Sequence, residues 1–279
     1  WVYISCGHSK IKLPGVEPDQ FPAIEFRKTE KEFSLSPSIL KKAIDRTYFA
    51  IGDNESRKNL MGLNLNIISS KLIRWTGADS FRISQYNTEL DEDIFAEGNI
   101  IIPKKSLPDI KRILEYSSGK IAASFDDNNF QIFSGSVKYK TRLIEAEFPN
   151  LDRLVNASTK YSIYISKEQL INAVRILSTV TEGDHKSVVK LSFQEGELIL
   201  ESQKLEFGEG NDVIECDYVG EPMSIGLNIR FLLDAIQVFD PADSENIVLN
   251  ISRPDTPFIV SCEDWENYRT VLMPVKIQW

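Results

Sequence analysis

Tyr161-Ser162-Ile163-Tyr164-Ile165-Ser166-Lys167-Glu168-Gln169-Leu170 changes its apolar period from two to about 3.6 without an intervening loop. Tyr161, Ile163 and Ile165 read as one face of a strand. Ser166 and Gln169 form a capping box, and Leu170, Val174 and Leu177 share one face of the helix that follows. Laid against itself, the chain shows the same pattern about 125–130 residues earlier. There a short strand begins at Phe33, Ser36 caps a helix with Pro37 in its first turn, and Leu40, Ala43, Ile44, Thr47 and Tyr48 lie on one face.

The repeat extends outward from this strand and helix. Each helix leads into an alternating hairpin, Leu63–Ile67 to Leu72-Ile73 in the first unit and Val189–Phe193 to Leu198–Leu200 in the second. Ile100-Ile101-Ile102-Pro103 then enters a helix carrying Leu107, Ile110, Ile113 and Leu114. Its counterpart, Met223–Gly226, enters one carrying Ile229, Leu232, Leu233 and Ile236. Alternating strands close both units, Gln131–Phe133 to Thr141–Ile144 and Ile247–Leu249 to Thr270–Met273. The expected fold class is α+β, with repeated domains of two helices and about eight strands in antiparallel sheets.

A chain of 279 residues with 42% hydrophobic and 26% charged side chains can bury cores for two domains, which excludes disordered, collagen-like and small disulfide-stapled classes. The 41 acidic and 32 basic side chains give a net charge of −9, which argues against holding nucleic acid by net charge alone. Cys6, Cys216 and Cys262 lie too far apart in sequence for zinc or redox spacing and read as buried small residues in a reducing compartment. With no apolar run long enough for a bilayer and no signal-peptide pattern, a cytoplasmic protein without membrane association is expected. Trp1–Cys6 alternates like a strand already in progress and Lys10–Leu13 is a second strand-like stretch, so 1–27 is expected to be the C-terminal remnant of a preceding domain. Domains at 28–151 and 152–279 follow.

Five stretches, in order along nearly the whole chain, resemble the bacterial sliding clamp family, the β subunit of DNA polymerase III. They are Phe21-Pro22, Ala78-Asp79-Ser80-Phe81-Arg82-Ile83, Ile102-Pro103-Lys104-Lys105, Leu143–Pro149 and Val271-Leu272-Met273-Pro274-Val275-Lys276-Ile277. The resemblance implies a DNA-clamp fold and a non-catalytic processivity factor that needs no cofactor. It further implies two three-domain subunits closing head to tail around double-stranded DNA, and a cleft for short peptides of the Gln-Leu-x-Leu-Phe kind. Partners would be the polymerase III catalytic subunit, the clamp loader and repair polymerases. A clamp-like scaffold that binds peptides without closing a ring is the alternative.

Carried over residue by residue, the cleft would comprise Leu60, Ala78, Ser80, Phe81, Arg82, Ile83, Pro149, Arg153, Leu154, Asn228, Phe231, Val271, Met273, Pro274, Val275 and Lys276. An apolar groove suits leucine and phenylalanine anchors, Arg82, Arg153 and Asn228 suit the peptide's polar groups, and Met273 suits varied partners. Phe81 stands where the family often has His or Tyr, and Gln278-Trp279 extends the terminal motif, so an altered peptide preference is expected. In the dimer contact, Ile176 and Leu177 would meet Ile11 and Leu13, with Leu177 equally readable as helix core. This polypeptide alone is expected to be monomeric or weakly associated.

The basic residues support the clamp reading independently. Helices taken as 38–51, 104–114, 167–180 and 228–239 hold Lys41, Lys42, Arg46, Lys104, Lys105, Lys111, Arg112, Lys167, Arg175 and Arg230 against only Asp45, Asp109, Glu168 and Asp234. Those helices therefore carry +6 and the remainder −15 of the total −9. With the apolar stripes packed on sheets, the charges would face outward and track phosphates, joined by Arg57 and Lys58. An enzyme is the rival class, yet His8 and His185 have no metal-ligand spacing, the runs Asp91-Glu92-Asp93 and Asp126-Asp127 read as solvated turns, and no nucleophile elbow or phosphate loop occurs. No catalytic or metal-binding residue is expected.

Overall fold

The computed structural model describes residues 1–20, 24–26, 29, 31–180, 187–204, 208–239 and 245–277. Phe21-Pro22, His185 and Gln278-Trp279 lie outside the described residues. Strands β1 (Val2–Cys6) and β2 (Ser9–Leu13) form a two-stranded sheet of their own, exposed on both faces.

The first repeat runs β3 (Glu32–Leu35), α1 (Pro37–Thr47), β4 (Gly62–Ser69), β5 (Leu72–Ala78), β6 (Arg82–Glu89), β7 (Asn99–Pro103), α2 (Leu107–Glu115), β8 (Ile121–Phe125), β9 (Asn129–Ser134) and β10 (Val137–Arg142). A connector with one short helix, α3 (Asp152–Val155), crosses to the second repeat. That repeat runs β11 (Tyr161–Ser166), α4 (Lys167–Val180), β12 (Val188–Gln194), β13 (Glu197–Lys204), β14 (Gly208–Glu215), β15 (Met223–Asn228), α5 (Ile229–Gln237), β16 (Asn246–Ile251), β17 (Phe258–Ser261) and β18 (Tyr268–Leu272).

The two repeats are wired alike. The first pairs its strands in the orders β7-β4-β5-β6 and β3-β8-β9-β10, the second in the orders β15-β12-β13-β14 and β11-β16-β17-β18. The edge strand β18 then pairs antiparallel with the edge strand β6, from Tyr268↔Tyr86 to Leu272↔Arg82, and fuses one sheet of each repeat into a single eight-stranded sheet. This pairing removes two open edges that would otherwise template aggregation.

Strand alternation sorts the seam into two faces. Tyr86, Tyr268 and Leu272 point into the main core, whereas Ile83 and Val271 point to the opposite face. On the core side the seam is tied by buried hydroxyls. Tyr268 Oη lies 3.0 Å from Ser84 Oγ and 2.8 Å from Thr270 Oγ1, and donates to the Arg46 carbonyl at 3.1 Å, which Ser84 Oγ also meets at 2.6 Å. Burial pushes the Tyr268 phenol up to about 12, so it stays a neutral donor.

The helices begin where their caps dictate and end where packing intervenes. Ser36 Oγ accepts from Ser38 N–H with Pro37 in the first turn, and Gln169 N–H approaches Ser166 Oγ at 3.4 Å. The helix expected over 38–51 stops at Thr47 and becomes a 3₁₀ turn, Tyr48–Ala50. Gly52 N–H, drawn to the carbonyls of Leu60 (3.0 Å) and Ala78 (3.1 Å), pulls the chain onto β5. Likewise Lys104–Ser106 is 3₁₀, because Pro108 has no N–H to donate back to Lys104. Helix α1 packs on β5 and β6 beside α2, and α5 packs on β15 and β18 beside α4, so all four helices lie on one side of the fused sheet.

Gly77 lets α1 approach β5, since an added Cβ would run into the Thr47 carbonyl oxygen. Gly77→Ala is therefore expected to lower unfolding stability by about 1–3 kcal/mol. Tyr268→Phe, which orphans buried partners at the seam, should also cost about 1–3 kcal/mol, and urea denaturation of both variants checks this.

Candidate functional site

On the face of the fused sheet away from the helices, Ala78, Ile83, Val271 and Ile259 form one registered row across β5, β6, β18 and β17. The connector lies over this row. Val155 and Leu60 complete a small apolar cluster with it, and Phe148, Leu151, Leu154 and Ala157 pack against that cluster. The cluster is separate from the main core, and its members come from both repeats.

Above the cluster, the turn between β5 and β6 presents Phe81. Asp79 Oδ1 accepts from the N–H groups of Phe81 (2.7 Å) and Arg82 (2.9 Å), an Asx turn that leaves the Phe81 ring 54% exposed. The chain after β18 runs alongside. Met273 N–H donates to the Phe81 carbonyl at 2.8 Å and Val275 N–H to the Gly226 carbonyl at 2.8 Å, which lays Met273–Val275 across the junction toward β15. The Phe231 ring sits 6.2 Å from that of Phe81. The result is a partly exposed surface at the seam, with a phenylalanine pair at one side and a methionine beside it, next to the buried apolar cluster.

The structure sorts the sixteen cleft residues into different jobs. Ser80, Phe81, Arg153 and Lys276 are exposed, and Pro149, Leu154, Phe231, Met273, Pro274 and Val275 are half-buried. Leu60, Ala78, Ile83 and Val271 are buried in the cluster under the connector and do not line the surface, the last three because strand alternation points them there. Arg82, expected to reach a peptide, is committed inward. Its guanidinium pairs with Asp79 (3.0 Å) and Asp234 (2.6 Å) and lies 4.2 Å from the Phe231 ring centre, linking β6 to α5. Asn228 likewise serves as the N-cap of α5, its Oδ1 accepting from Arg230 N–H at 3.0 Å and Phe231 N–H at 3.1 Å.

The basic residues divide in the same way. Lys42, Arg57, Lys58, Lys105, Arg112, Arg175 and Arg230 are exposed. Lys41 and Lys111 share Asp45, which lies between α1 and α2. Lys104 Nζ donates to the Ile51 carbonyl and to Asp53 Oδ2, both at 2.8 Å, so it braces a loop instead of facing out. Lys167 is only 5% exposed. It opens α4 directly from β11, where the turn carries it inward. Arg46 also departs from the expectation, because its guanidinium lies 3.6 Å from the Trp265 ring centre and 4.4 Å from that of Tyr86. A cation stacked between the repeats ties α1 to both sides of the seam.

Among the dimer candidates, Ile11, Leu13 and Ile176 are exposed, but Leu177 is buried in the helix core. Cys6 is exposed rather than buried, being on the open hairpin, whereas Cys216 is half-buried and Cys262 buried. Burial raises the Cys216 thiol above its ordinary value. Among the described residues no His, Cys, Asp and Glu cluster could hold a metal, and no helix is long and apolar enough to cross a membrane.

Sequence reasoning missed Val155, Ile259, Asp79 and Asp234. Alternation in Phe258–Ser261 marks Ile259 as facing away from Phe258 and Val260. Nothing local pairs Asp234 with Arg82, a partner 152 residues away. Arg46→Ala should lower stability by about 1–2 kcal/mol with partial recovery in Arg46→Lys, while Lys42→Ala stays within about 0.5 kcal/mol; guanidinium chloride unfolding checks the contrast.

Comparisons with known proteins point the same way. A family profile described as DNA polymerase III beta subunit, central domain, matches residues 34–150, and one described as its C-terminal domain matches residues 153–276. The beta sliding clamp of Staphylococcus aureus is 27% identical over 274 residues, spanning 98% of this chain and 71% of that protein. The solved sliding clamp of Bartonella birtlesii bound to griselimycin is 25% identical, with a TM-score of 0.90 over 99% of this chain and 74% of its own. That of Caulobacter crescentus, at 23% identity, shares the fold with a TM-score of 0.89 over 99% of this chain and 73% of its own. Two such domains in tandem, joined edge to edge through one continuous sheet, make this chain a member of the DNA polymerase III β subunit family.

Proposed function

We propose that this chain acts as a sliding clamp, a non-catalytic processivity factor that holds duplex DNA without regard to sequence and tethers polymerases through short linear peptides. Residues 28–151 and 152–279 are its two clamp domains, and it works in the cytoplasm, where bacterial DNA is replicated. The observation that carries the reading is the apolar surface at the seam. Residues from two repeats converge on one apolar floor, and Phe81, Phe231, Met273 and Pro274 stand beside it. Leucine and phenylalanine anchors of a partner peptide would lie against these groups, with Arg153 and Lys276 at the polar edge.

The DNA reading rests on the helical side. All four helices share one side of the fused sheet, and on them Lys42, Lys105, Arg112, Arg175 and Arg230 are exposed. Side chains of this kind meet phosphates through screened, non-directional contacts, which suits a protein that must slide. In a head-to-tail ring, exposed Ile176 is the candidate contact on the second repeat, with Ile11 and Leu13 as its counterparts on the hairpin.

A fluorescent Gln-Leu-x-Leu-Phe peptide is expected to gain anisotropy on titration, and Met273→Ala to weaken binding about tenfold, a loss of about 1.4 kcal/mol. No binding by the unmutated protein would remove the cleft assignment. For DNA, the slope of log affinity against log salt should fall by nearly 2 in a Lys42→Ala, Arg112→Ala double variant. Retention on nicked circular DNA, with release when the circle is cut, separates an encircling ring from a scaffold that only binds peptides.

A further inference from the structure

On the helical side of the fused sheet, a cavity of about 600 Å³ lies where the two repeats meet. Helix α1 and the 3₁₀ turn after it bring Ile44, Tyr48 and Phe49 to its wall, α2 brings Leu107, and α5 brings Asp234 and Gln237. The wall is apolar and aromatic apart from Asp45, Lys111, Asp234 and Gln237. Tyr48 is 38% exposed while Ile44 and Leu107 are buried, so an aromatic ring that solvent can reach adjoins an apolar interior. Neither carboxylate is a free charge. Asp45 is held by Lys41 at 3.0 Å and Lys111 at 2.5 Å, and Asp234 by Arg82 at 2.6 Å.

The surroundings are cationic. Residues 37–47 and 104–115, which build most of the wall, hold seven basic side chains against Asp45, Asp109 and Glu115, and of these cations Lys42, Lys105 and Arg112 are exposed. A ligand that is anionic outside and flat and apolar inside matches both features. Unpaired nucleobases on a phosphate backbone have this form, because a base face stacks on an aromatic side chain while the phosphates stay with cations in water. Bases of a duplex are stacked on one another and offer no face to such a cavity. The Lys104 Nζ, 5.4 Å from the Tyr48 ring centre, orients that ring, and the Gln237 carboxamide supplies a donor and an acceptor suited to a base edge.

We propose that this cavity takes an unpaired base of single-stranded DNA, stacked against Tyr48 and Phe49, with the neighbouring phosphates at Lys42 and Lys105. The inference rests on the helical side being the one that faces DNA, and it adds to duplex contact a site that only a single strand can fill. The experiment compares, by fluorescence anisotropy at low salt, an oligothymidylate of about 12 nucleotides, an abasic oligomer of the same length and a duplex of the same length. The oligothymidylate is expected to bind at least about fivefold tighter than the abasic oligomer. Tyr48→Leu should abolish that advantage and leave the affinities for the abasic oligomer and the duplex unchanged. Phe95→Ala is the control, since Phe95 is 92% exposed but stands on a loop with Asp91, Glu92 and Asp93, away from the cavity, and it should change nothing. Photocrosslinking of a 5-iododeoxyuridine oligomer to the unmutated chain should label Tyr48 or Phe49, which decides the matter even where the Tyr48 variant fails to fold. Equal binding of thymidylate and abasic oligomers, an advantage that survives Tyr48→Leu, or crosslinks confined to other residues would overturn the proposal. Duplex binding without any effect of the bases removes this site alone, whereas no binding of any of the three removes the DNA reading with it.

Discussion

The antiparallel pairing of β18 with β6 is the constraint on which the rest of the molecule depends. Five registered pairs, Tyr268↔Tyr86 through Leu272↔Arg82, turn two four-stranded sheets into one. The seam gives both repeats a common inner face, where the Tyr268 hydroxyl network and the Arg46 stack sit, and a common outer face, where the connector docks. Sliding the pairing by one residue would exchange these faces. Tyr268 would then point outward and Val271 into the hydroxyl cluster.

Formal charge on a helix proves a poor guide to charge offered to a partner. The four helices carry an excess of cations, yet several of those cations are consumed internally. Asp45 holds Lys41 and Lys111 together across α1 and α2, Asp53 holds Lys104, and aromatic rings hold Arg46. Such pairs contribute modestly to stability where exposed, but they orient long side chains that would otherwise sample many rotamers. The cations left exposed are spaced along the helices.

The outer face shows how one sheet serves unlike ends. The row Ala78, Ile83, Val271 and Ile259 is apolar and anchors the connector, and the adjoining row Asn64, Thr76, Gln85 and Arg269 is polar. Arg82 and Asn228, expected at ligand contact, also fix the β5–β6 turn and the start of α5. Through these contacts they hold the Phe81 turn and the start of the Phe231 helix in place.

Period and punctuation were enough to reveal the repeat, its helices and hairpins, and the α+β class, because alternation and capping are local properties of Ser36-Pro37, Ser166–Gln169 and the strands between them. The motifs around Ala78–Ile83 and Val271–Ile277 were legible as well, and the structure brings the two segments together at the β6–β18 seam. What only the tertiary structure decided was which side chains remain available. Lys167 and Leu177 turned inward, Lys104 and Arg46 found partners across loops and repeats, and Asp234 reached Arg82. Burial and pairing depend on contacts between residues tens to hundreds of positions apart, and neither a helical period nor a short motif carries that information.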